Sequence, residues 1–260
     1  MDLNQARSYV FGTMHVKDYR IHQFAGLIST YIDDCHAFAS EFHLDDFKAE
    51  SQTDIGIMSE GKMISSMLTE RQFDKLSGIL KKAFGLNLIE FNRVYPLFII
   101  NILSEYVMVN SESIPLDTFL WQMAKSKNRK MLGLETIEDQ YRIMNHISLP
   151  YQVKALKSIG ANVSRFKSHI GKLISAYEEQ KVKSLYLMSK KSLADQKTLL
   201  LYNRNQVMAD TMMEEMKRHD SVFSAIGVAH LWGNSGVLAL LKRAGCRVSP
   251  VKLRTNNVES

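Results

Sequence analysis

Cysteine and proline are scarce in this chain: its 260 residues hold two of the first and four of the second. Cys35 and Cys246 cannot build a disulfide framework, and each precedes an apolar run where a buried free thiol is the plain expectation. With so little proline, and no stretch rich in glycine or serine, nothing marks a linker, so a single domain over residues 1–260 is expected. Long apolar runs are missing as well. A membrane helix needs roughly 18–20 such residues, and the run over 95–109 is broken by Asn101, Ser104 and Glu105. Residues 1–7 carry Asp2, Asn4 and Gln5 where an export signal has a basic patch and an apolar core. The expected location is therefore cytoplasmic, unless such a signal has been removed.

Acidic charge is thin in one segment. Across 152–191 nine bases (Lys154, Lys157, Arg165, Lys167, Lys172, Lys181, Lys183, Lys190 and Lys191) face only Glu178 and Glu179, which accounts for the whole net charge of +6. Such a run is either a solvated helical face or an electropositive rim that attracts an anionic partner. No aromatic interleaving supports nucleic acid, which is not an expected partner.

The apolar pattern predicts an α/β architecture. Tyr9-Val10-Phe11 reads as a buried strand ending at a glycine turn, Ile21, Phe24, Ala25, Ile28 and Ile32 fall at helical spacing, and 35–42 suits a second strand. Strand, helix, strand is a βαβ unit, which places the second strand beside the first. Residues 55–127 are helical almost throughout, 130–135 is a strand, and Thr136 with an acidic residue nearby starts the next helix. Residues 150–218 read as three or four helices. A strand at 221–228, a helix at 236–244 and a closing strand at 246–253 complete the chain.

Two places share one design: Gly12-Thr13-Met14-His15 after the first strand and Gly227-Val228-Ala229-His230 after the late one. Ligands of open α/β sheets bind at the carboxyl ends of strands, so both histidines are expected on one edge. Glu41, at the end of the second strand, brings a carboxylate to the same edge, or is an exposed loop acid with Asp45 and Asp46. Two neutral imidazoles and a carboxylate suit a divalent metal with open positions for water. Arg204 interrupts the stripe Leu201, Met208 and Met212, and a buried arginine requires an anionic partner. It snorkels to water, pairs with Glu135, or clamps a developing oxyanion.

In order along the chain, Tyr9-Val10-Phe11-Gly12-Thr13-Met14-His15-Val16, Glu41, Leu132-Gly133-Leu134-Glu135-Thr136 with Gln140, Arg204-Asn205, and Gly227-Val228-Ala229-His230-Leu231 with Gly233 and Gly236 resemble the signature of the TraB/GumN family, which includes the Tiki peptidases. The resemblance runs over about 9–250. It implies a fold similar to the erythromycin-esterase and ChaN group: a central mixed sheet with paired Gly-x-x-His turns at strand ends, under a large helical cap at about 55–127 and 150–218. It also implies a metal-dependent hydrolase acting on a peptide or other small molecule. In that reading His15, His230 and Glu41 hold manganese, cobalt or zinc, and Glu41, Arg204 and Glu135 serve catalysis. A metal-free variant uses one histidine as general base oriented by Glu41. The alternative is a non-enzymatic binder of haem or metal, as in ChaN-like relatives.

Overall fold

The computed structural model describes residues 7–46, 56–108 and 114–251. They fall into two compact units. One is drawn from Met1–Leu44, Ser113–Thr136 and Ala176–Ser260, the other from Asp45–Glu112 and Ile137–Ser175.

The first unit is built on four strands, β1 (Tyr9–Thr13), β2 (Ala37–Phe42), β3 (Lys130–Glu135) and β4 (Val222–Gly227), in the order β1-β4-β2-β3. All three pairings are parallel, so the sheet expected as mixed is parallel throughout. The βαβ reading also needs correcting. β4 lies between β1 and β2, with Thr13 opposite Gly227 on one side and Ser40 opposite Ala225 on the other. β4 is the most buried strand, with five of its six residues buried, and a central position covers both of its edges and both faces. Phe38 stacks on Phe223 with ring centroids 5.7 Å apart across this centre, and Trp121 meets Phe38 edge-on at 6.2 Å. Trp121 belongs to α4 (Leu116–Ser126), whose buried Leu116, Leu120, Trp121 and Ala124 form the stripe that seats it on the sheet. Each of the larger side chains contributes about 1.5–3 kcal/mol by leaving water.

Between β1 and β2 runs a 3₁₀ turn (Tyr19–Phe24), capped by Asp18, and then α1 (Ala25–Asp33). Late in the chain come α8 (Val182–Leu193), a π-helical turn (Thr198–Asn203), α9 (Arg204–His219) and α10 (Val237–Arg243). The final helix of the 150–218 stretch was expected from Leu200 and is regular only from Arg204, because the π turn precedes it. Leu201, Met208 and Met212 are buried along it as their spacing predicts. The closing strand expected at 246–253 is not found: residues 246–251 are not in a strand, and 252–253 lie outside the described residues.

The second unit contains α2 (Glu70–Phe84), α3 (Pro96–Glu105), α5 (Ile137–His146), α6 (Leu149–Ala161) and most of α7 (Val163–Glu178). Thr69 and Gln72 close a capping box on α2, and Gly85 ends it in the left-handed region at φ 73°. Phe84 meets Phe166 edge-on at 6.0 Å, and Gln152 donates to the carbonyls of Met144 and Ile147. The stretches 55–127 and 150–218, apart from residue 55 and residues 109–113, which are not described, are mainly helical. They are shared between the units, with α4, α8 and α9 in the unit of the sheet. No described helix is long and apolar enough to cross a membrane.

Candidate functional site

Parallel strands deliver their carboxyl ends to a single edge. Glu41 is the fifth residue of β2, Glu135 the last of β3, and Gly227 the last of β4, followed at once by the 3₁₀ turn Val228–His230. α9 packs on β3 and β4 and starts with Arg204-Asn205. Four sequence candidates thereby meet in one cluster.

Arg204 is its centre. Its Nε donates to both carboxylate oxygens of Glu135 at 3.0 Å, and its Nη2 donates to Glu135 Oε2 at 2.6 Å and to Glu41 Oε2 at 2.5 Å. The side chains of Glu135, Arg204 and Glu41 are 2%, 14% and 21% exposed, so these pairs are poorly screened. Of the three roles open to Arg204, the geometry includes the ion pair with Glu135 and adds a second with Glu41. Burial alone raises the Glu41 pKa, but the Arg204 charge, His230 and the Gly227 N–H outweigh it and hold the carboxyl at about 2. Burial lowers the Arg204 pKa, and the charges of Glu41 and Glu135 reverse that and raise it. At neutral pH both Glu41 and Arg204 are charged.

The other oxygen of Glu41, Oε1, accepts the Gly227 N–H at 2.7 Å. A Cβ at position 227 would stand 2.8 Å from Oε1 and 3.4 Å from His230 Cδ2, so the glycine is what lets the carboxylate reach this backbone. His230 Nε2 lies 3.8 Å from the same Oε1. The tautomer of His230 follows from its other side. Asn205, fully buried, donates through Nδ2 to the Ser235 carbonyl at 2.6 Å, which turns its Oδ1 toward His230 Nδ1 at 2.6 Å. Oδ1 only accepts, so Nδ1 carries the proton and Nε2 the lone pair. Burial lowers the His230 pKa to about 4 against the opposing pull of Glu41, and the ring is neutral at pH 7. Two acceptors, an imidazole nitrogen and an ionised carboxylate oxygen, thus face each other.

His15, two residues beyond β1, is engaged by a residue outside the cluster. Its Nδ1–H donates to both oxygens of Asp117 in the first turn of α4, at 3.0 and 2.9 Å, and its side chain is 49% exposed. Among the described residues no group of three or more histidine, cysteine, aspartate or glutamate side chains is arranged to hold a metal ion. Sequence reasoning assigned no role to Asn205 or Asp117. Asn205 stood beside Arg204 in the family signature, whereas Asp117, 102 positions from His15, gave no local signal.

A family model described as TraB/PrgY/gumN matches residues 2–250. Compared with curated proteins and with solved structures, the chain matches none. The match spans nearly the whole chain, and the chain belongs to the TraB/PrgY/gumN family.

Proposed function

We propose that this chain is a hydrolase, most nearly peptidase-like, acting on a peptide or other small molecule at the sheet edge around His230 and Glu41. One observation carries the reading: His230 Nε2, on a buried ring, and Glu41 Oε1, on a side chain 21% exposed, are both acceptors and face each other at 3.8 Å. Such a pair is stabilised by a cation or by the protons of a water, and either is what a hydrolytic centre requires.

The donor chemistry of this pair fits a divalent ion such as manganese, cobalt or zinc. His230 and Glu41 would hold it; His15, the third donor of the sequence reading, is engaged by Asp117 and forms no metal-holding group with them among the described residues. When bound, the ion supplies a Lewis acid and an acidified water. The chain's own residues do the rest. Asn205 fixes the His230 ring with its lone pair on Nε2. Arg204 holds Glu41 and Glu135 in place, and the Gly227 N–H stops Glu41 from rotating away. With Nε and Nη2 engaged by carboxylates, Arg204 offers Nη1 to charge that develops in the transition state.

The test is elemental analysis and an absorbance scan of protein purified without chelator, followed by hydrolysis of a peptide library. Stoichiometric metal, with cleavage that disappears in His230→Ala and Glu41→Gln, supports the reading. A Soret band without cleavage would replace it with the haem-binding alternative. Cleavage unchanged in both variants would remove the site.

A further inference from the structure

The proposed centre leaves Asp117 without a role, although it makes the best-defined contact of the first Gly-x-x-His turn. Both of its oxygens lie within 3.0 Å of His15 Nδ1, and its side chain is only 16% exposed beside an imidazole that is 49% exposed. A surface ion pair between two long side chains would swivel. This one involves two short side chains, and both ends are braced. Asp117 sits in the first turn of α4, where the helix N-terminus favours a carboxylate, and one turn later Trp121 is pinned between Phe38 and His43. On the histidine's side, His22 Nε2 donates to the Ile114 carbonyl at 2.8 Å and its ring meets Phe119 edge-on at 5.2 Å, which ties the segment after β1 to the start of α4 a second time. The Gly12 carbonyl, three residues before His15, accepts the Tyr177 hydroxyl at 2.6 Å.

We propose that Asp117 is a positioning residue for His15, holding the ring in one orientation with its proton on Nδ1 so that Nε2 carries the lone pair. The inference rests on the hydrolase reading for its consequence, since a donor lone pair at a fixed angle is what a metal ligand or a general base must present. The geometry of the contact stands without it. A carboxylate behind a histidine fixes the tautomer and makes the opposite nitrogen a better donor. His230 has the same proton placement through an amide, Asn205. The two histidines therefore present the same nitrogen but differ in the charge behind it: His15, backed by a full negative charge, is the stronger donor of the pair.

The experiment uses the full chain labelled with ¹⁵N-histidine, with long-range proton–nitrogen correlation spectra recorded before and after chelator treatment at one neutral pH. His15 is assigned by its loss in His15→Gln. After chelation the wild type is expected to show the Nδ1–H form of His15, and Asp117→Ala, which leaves no acceptor behind Nδ1, is expected to shift it toward the Nε2–H form while leaving the His230 signals in place. On a peptide that the wild type cleaves, Asp117→Asn is expected to lower kcat by about 10- to 100-fold with little change in KM. An Nε2–H or doubly protonated His15 in the chelated wild type overturns the proposal, as does an unchanged tautomer in Asp117→Ala, which removes the acceptor. The wild-type spectrum decides alone if the variant does not fold. If His15→Ala and His230→Ala both leave cleavage intact, the hydrolase reading falls, and the tautomer still judges the role of Asp117.

Discussion

The two Gly-x-x-His turns leave neighbouring parallel strands side by side, with Thr13 opposite Gly227, and then part. After β4 the chain curls into a 3₁₀ turn that lays His230 on Asn205 of α9, 8% exposed. After β1 it runs on toward the turn capped by Asp18, and His15 is left half exposed on Asp117. One turn is buried on a strand end crowded by Glu41, Glu135 and Arg204; the other presents a half-exposed histidine to the carboxylate of Asp117. Identical spacing does not confer an identical electrostatic setting, because the setting belongs to whatever element packs against the turn.

The difference can be broken most severely from beneath His230. Arg204→Met leaves Glu41 and Glu135 buried near each other without their counter-charge, and a loss of about 3–5 kcal/mol is expected in denaturant unfolding. A loss below about 1 kcal/mol would mean that the cluster is far wetter than its burial indicates. Acidification acts on the same side. Unfolded, His230 takes up a proton at about 6.5, but folded only at about 4, so stability should fall as pH drops through that window. Glu41 extends the loss from its ordinary 4.5 down to about 2. The His230 contribution is on the order of 2–3 kcal/mol. A stability curve that stays flat from pH 6.5 to 4 in wild type, and is matched by His230→Gln, would contradict the buried neutral imidazole.

Substituting each glycine sharpens the comparison. Gly227→Ala pushes a methyl against Glu41 Oε1, whereas Gly12→Ala meets Leu231 Cδ1 at 2.8 Å and Val228 at 3.0 Å, all apolar. Each should cost about 1–3 kcal/mol by calorimetry. Only Gly227→Ala is expected to shift the His230 titration as well, and equal titrations in the two variants would erase the distinction. The smallest effect belongs to the exposed side: His15→Ala removes a half-exposed contact with Asp117, and a stability change of about 1 kcal/mol or less is expected in the same unfolding measurement.

Much of this organisation was legible in the residues. The strands at 9–13, 130–135 and 222–227 are dense in apolar side chains bounded by glycine or charge, and Thr136 followed by Glu138 and Asp139 announces a helix start. Arg204 within an apolar stripe required an anionic partner, and Glu135 was named. The strand order was not legible, because β1 and β2 satisfy a βαβ pattern whether or not another strand enters between them. The run over 246–253 has strand composition but forms no strand over its described residues, since composition measures fitness for a sheet and not the presence of a partner. The π turn ahead of Arg204 leaves no mark in the spacing of Leu201 and Met208, both of which stay buried.

By itself the sequence determined at which strand ends Glu41, Glu135 and the two Gly-x-x-His turns stand, because apolar periodicity and glycine placement are local properties. The tertiary structure alone decided that β4 enters the centre of the sheet, that Arg204 is shared by two glutamates, and that Asn205 backs one histidine while Asp117 backs the other. The His15–Asp117 and Arg204–Glu41 contacts join residues 102 and 163 positions apart. Such contacts form only when separate elements bury a common core, and no local pattern encodes which side chains that burial brings together.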